Sequence, residues 1–167
     1  MCTDDGPVDF PPGRFHSMFS AARVRGSIGS GGMSSFPDDV EAYYAELAGR
    51  RDWSSETVAA IRSTVELIRD LDRGTAPRTY GAVADEEGTD WLYEAVWHER
   101  EWVVVRQIGA AEDGTITRYW WQRLEDDEGM LTDKALDRDE WGLRPLSRED
   151  FYTAWDDPGW SLTSLTA

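Results

Sequence analysis

The chain has 167 residues, is 40% hydrophobic and carries a formal net charge of −16, which suits one domain with a real core and is short for two. A field of that sign repels phosphate backbones and anionic membranes and attracts basic proteins or cations. Nucleic acid is therefore disfavoured and a basic protein partner favoured, although an acidic surface also serves plain solubility.

Residues 1–32, with "GPVDFPPG" and "GSIGSGG", show no sustained period and are expected to form a tail that cannot offset its ordering entropy. Their three acids balance three arginines, whereas residues 33–90 carry −7 and residues 91–167 carry −9, so the acidity belongs to the expected domain, 33–167. Two readings of the tail stay open, an upstream extension with Met33 as the natural start, or a genuine arm. Cys2 is the single cysteine and lies in this tail, so no internal disulfide forms. No apolar run or export signal interrupts the chain, and a cytoplasmic protein without a membrane span is expected.

"SSFPDDVEAYYAELAG" predicts a first helix, capped by Ser35 with Asp38 three residues on and ended by Gly49. "SSETVAAIRSTVELIRDLDRG" predicts a second, with Val58, Ile61, Val65 and Ile68 on one stripe and Gly74 as terminator. The short "RRDW" between them makes a helix hairpin, and residues 75–90 read as a linker.

"WLYEAVWHEREWVVVRQIGAAEDGTITRYWWQRL" then reads as three strands of an antiparallel meander, with turns at Glu99-Arg100 and Asp113-Gly114. Two-residue turns pair Trp97 with Trp102, Tyr93 with Arg106, and Arg106 with Trp121. One face then carries Trp91, Tyr93, Ala95, Trp97, Trp102, Val104, Arg106, Ile108, Tyr119 and Trp121, and this nearly apolar face is expected to pack on the helix hairpin, with Trp97–Trp102 as a core pair. Arg106 among aromatics needs cation–π contact and a carboxylate partner, or else marks an aromatic-lined recognition site. The candidate binding residues are Tyr93, Arg106 and Trp121, with Trp120 and Arg118 beside them.

Beyond the acidic loop "EDDEG", "LTDKALDRDEWGLRPL" admits a short helix followed by a strand at "GLRPL". Ser147 and Asp150 are expected to cap a last helix, "REDFYTAW". The fold class is thus α+β: an N-terminal helix hairpin packed on a small antiparallel meander, with a short C-terminal helix.

The chemistry is sparse. His16 lies in the tail and His98 beside a turn; no nucleophile elbow, zinc-ligand spacing or phosphate-binding loop occurs. The clusters Glu125–Glu128 and Asp137–Glu140 lack the spacing of a calcium loop and read as solvated acids. No catalytic residue, metal or cofactor is expected.

The order strand, strand, "IGAAEDGT", strand, "WGLRPLSREDF" over residues 91–151 resembles the WGR domain, a small β-rich module that helps bind DNA in DNA-repair ADP-ribosyltransferases. Where that family has Trp-Gly-Arg, a further residue and a glycine, this chain has Val105-Arg106-Gln107-Ile108-Gly109, keeping only the glycine. Gly114 matches the following turn glycine. The resemblance implies sheet topology and carries over no functional residue. The leading functional expectation is a non-enzymatic acidic binding protein, an immunity- or antitoxin-type inhibitor or regulator of a basic partner. The alternatives are a WGR-like module binding nucleic acid or peptide through an aromatic sheet face, and a small metal-dependent enzyme.

Overall fold

The structure, a computed structural model, describes residues 36–157; the expected tail and the Ser35 cap lie outside them. The fold is α+β. Helices α1 (Asp38–Arg50) and α2 (Ser55–Arg73) precede strands β1 (Arg78–Ala84), β2 (Asp90–His98), β3 (Glu101–Ala110), β4 (Ile116–Trp120) and β5 (Arg144–Pro145), and α3 (Arg148–Asp156) follows. The strands form one antiparallel sheet in the order β4-β3-β2-β1-β5. No helix of the described residues is long and apolar enough to cross a membrane.

The helix ends follow local chemistry. Pro37 stands at the start of α1 without a side-chain cap, and Glu41 reaches back to accept from the Phe36 N–H at 3.4 Å, tying the residue before the cap to the first turn. Gly49 does not end α1. The helix runs on to Arg50, and the chain turns at Asp52, whose φ is 51°. In α2, Ser54 caps through the Thr57 N–H, and Ile61, Val65 and Ile68 are buried. Val58, expected on the same stripe, is exposed.

The segment expected to be a linker contains β1. "RTYGAVA" is covered on both faces, burying Thr79 to Ala82 in succession, and Gly81 admits Leu143 so closely that a Cβ would stand 3.3 Å from its side chain. Residues 131–143 contain turns but no helix, and the expected "GLRPL" strand is the two-residue edge β5.

Both hairpins depart from the simple register. At the first turn Glu99 and Arg100 both have positive φ, 46° and 73°, so the two-residue turn forms and Trp97 does face Trp102. A bulge between Glu94 and Ala95 then shifts the ladder: Arg106 faces Glu94, and Tyr93 faces Gln107. At the second turn the loop is one residue longer, closed by Ala111 N–H to Thr115 O at 2.9 Å, with Gly114 at φ +88°. Arg106 therefore faces Trp120, not Trp121.

These shifts sort the sheet faces. The face of Tyr80, Glu94 and Arg106 meets the end of α2 and α3, through Asp72 and Tyr152. The other face is covered by the irregular chain after β4: Tyr93 meets Trp141 edge-on at 5.5 Å, Gln107 is bonded to Met130 O and Thr132 N–H, and Thr79 accepts from Arg138. The face expected to pack on the helix hairpin thus packs largely on a loop. The Trp97–Trp102 pair is not core, since Trp97 is 42% exposed.

Candidate functional site

The five candidate binding residues separate into two groups. Tyr93 is buried on the loop-covered face, and burial pushes its phenol up to about 12. Trp121 is buried between Phe36, 6.2 Å away, and the Arg73 guanidinium, 5.1 Å from its ring. Neither meets Arg106. Arg106, Trp120 and Arg118 do share a region, the sheet face beneath α3.

There Trp120 meets Trp155 edge-on at 5.5 Å. Arg118 donates to the carbonyls of Ala154, Trp155 and Asp157 at 2.7 to 3.0 Å, placing a cation where a helix C-terminus concentrates negative charge. Burial lowers the Arg118 pKa, opposed by Asp157 and Asp156.

Arg106 sits at the centre. Its guanidinium lies 5.4 Å from the Tyr152 ring and 5.3 Å from the Trp155 ring. It donates to Glu94 Oε2 at 3.3 Å, to Asp72 Oδ2 at 3.1 Å and to the Tyr152 hydroxyl. Glu94, fully buried, also accepts from Arg78 at 2.6 Å, Tyr80 at 3.2 Å and Tyr152 at 3.0 Å. Arg78 in turn donates to the Leu71, Asp72 and Gly74 carbonyls that end α2.

Two cations and two carboxylates thus neutralise one another, as burial requires. Burial raises the Asp72 pKa despite Arg106 and Arg78. It also pushes the Tyr152 phenol up to about 12, with Glu94 adding to the shift and Arg106 opposing it. Apart from Asp72 Oδ1 and Arg106 Nε, which have no hydrogen-bond partner, its polar groups are spent on one another, and the cluster acts as a clamp on α2, β1, β2, β3 and α3.

Exposed carboxylates collect where the chain turns. The β1–β2 and β3–β4 turns lie side by side, with Asp85, Glu86, Glu87, Glu112 and Asp113 exposed; a Cβ on Gly88 would stand 3.8 Å from the Glu112 carboxylate. Burial raises the Asp85 pKa, but the Trp91 indole and the N–H groups of Thr89, Glu87 and Gly88 together lower it. The Thr115 N–H and hydroxyl lower that of Asp113. Both acids stay ionised below the usual carboxylate range. At the opposite end, Trp97 and half-buried Trp102 meet at 5.0 Å, and Leu136, bonded to Trp102 O, leads into exposed Asp137, Asp139 and Glu140.

Sequence places Trp97 and Trp102 in the core, whereas the hairpin end leaves Trp97 exposed. A residue one step from a hairpin turn has few neighbours to cover it. Among the described residues no group of three His, Cys, Asp or Glu side chains is placed to hold a metal ion. Comparison with protein-family models, curated proteins and solved structures finds no match.

Proposed function

We propose that this protein is a non-enzymatic acidic binding protein that inhibits or regulates a basic protein, in the manner of an immunity protein or antitoxin. One observation supports it: many of its cations are spent on internal contacts while carboxylates face water at both ends of the sheet. Arg51 pairs with Glu125, Arg62 with Glu41, and Arg78 and Arg106 with Glu94. Arg118 binds carbonyls, and Arg138 binds Thr79 and the Tyr80 carbonyl. The turns at 85–87, 112–113 and 137–140 keep their acids exposed.

Such a surface steers a cationic partner and suits a protein site built to hold phosphate. The test is affinity capture from the native host, followed by a salt titration of whatever purified protein binds. A basic partner whose affinity falls steeply with salt is expected. Binding that ignores salt, or tight binding of duplex DNA, would overturn the reading.

A further inference from the structure

We infer that the partner docks at the β2–β3 hairpin end, where Trp97 and Trp102 receive an arginine side chain of the basic protein; this rests on the reading above that the partner is basic. Trp97 and Val58 are the only exposed large hydrophobic residues among those described. The two indoles are inclined at 61°, so an edge-on contact leaves ring surface open.

Their backbones are held in place: Trp97 N–H donates to Pro77 O at 2.9 Å, and Leu136 N–H donates to Trp102 O at 2.8 Å. That second bond brings the next turn alongside. In it Asp137 Oδ1 accepts from the Asp139 and Glu140 N–H groups, both at 3.0 Å, which fixes a turn that exposes three carboxylates directly after the residue bonded to Trp102. Arg138, within that turn, directs its guanidinium to Thr79 and the Tyr80 carbonyl and keeps its charge, so the three acids leave the turn a net charge of −2.

Open indole faces and a carboxylate rim both favour a cation, and a planar guanidinium satisfies ring and carboxylate together. Exposed Trp that meets Arg is also the usual anchor chemistry of protein interfaces. A pair serving only to hold the hairpin gains from cross-strand contact but needs no acidic rim.

The probe is a short alternating Arg–Gly peptide, titrated into the full chain at low salt. Trp97→Ala, and separately Asp139→Asn with Glu140→Gln, should each weaken binding about tenfold. A control at the far end, Glu86→Gln with Glu87→Gln and Glu112→Gln, should weaken it less, and a matched Lys–Gly peptide should bind more weakly than the Arg–Gly one. Trp97→Phe keeps an aromatic pair in the hairpin and carries the test should the alanine variant fail to fold; it should also weaken binding. Peptide binding unchanged by the Trp97 and Asp139/Glu140 variants but lost in the far-end variant would overturn the docking site and leave the basic-partner reading standing. No peptide binding by the wild type at low salt would sink both.

Discussion

Glu94 accepts hydrogen bonds from side chains of β1, β3 and α3, so its carboxylate is where the clamp is most easily broken. Glu94→Ala leaves Asp72 as the one buried carboxylate facing both Arg78 and Arg106, and a loss of about 3 kcal/mol is expected in urea unfolding, as for other broken buried pairs. Arg106→Ala should also destabilise, since it leaves Asp72 and Glu94 short of a cation; an unchanged melting temperature would show that Arg106 is not part of a clamp. Asp72 behaves differently. Its pKa is raised because burial opposes its charge, so its contribution to stability is full below its ordinary value of 3.8 and is lost as pH rises through the folded value. Asp72→Asn removes that dependence. The stability of the wild type relative to the variant should therefore fall as pH rises from about 4, and a difference that grows over that range would contradict the burial argument.

The elements show which parts of the fold sequence can disclose. Ser147 capping α3 through the Asp150 N–H, the aliphatic stripe of α2 and the Glu99-Arg100 turn were all legible, because each depends on residues within one turn of chain. The bulge at Glu94 and the extra loop residue before Gly114 were not. Each moves the register by one place, and together they exchanged the expected neighbours of Arg106 from Tyr93 and Trp121 to Glu94 and Trp120. Strand β1 was hidden for a related reason: Gly81 reads as a breaker until Leu143, sixty-two residues on, is seen packed against it. Gly109, a position the WGR resemblance singled out, has a plain packing role. A Cβ there would stand 2.7 Å from both Thr117 Oγ1 and the Trp91 ring, and Trp91 holds Asp85. Gly109→Ala should cost about 1–3 kcal/mol through overpacking; a neutral result would mean that Trp91 moves freely. Helix α3 supplies an alkaline test. Its Tyr152 phenol is raised to about 12, so the stability it contributes is present below pH 10 and is lost as pH rises toward 12. Tyr152→Phe should flatten that part of the unfolding profile; an unaltered profile would place the alkaline transition elsewhere.

Across the whole molecule, the same charge acts in opposite directions on folding and on binding. A chain of −16 with carboxylates crowded at the turns 85–87, 112–113 and 137–140 repels itself when compact. Salt at about 0.1 M shortens the range of those forces to about 10 Å, which screens the repulsion between separate turns. It does little to the Arg78–Glu94 and Arg106–Asp72 contacts, because buried pairs are screened far less. Adding salt from a low starting concentration should therefore raise the melting temperature while it weakens attraction to a cationic partner. The two trends are measurable on one preparation, by thermal unfolding and by titration with the Arg–Gly peptide. A melting temperature that falls with salt would mean that exposed ion pairs, such as Arg123 with Asp126, outweigh the repulsion among the turns. The carboxylates at the two ends of the sheet would then be balanced where they stand, and an acidic surface that is already balanced has no reason to seek a basic one.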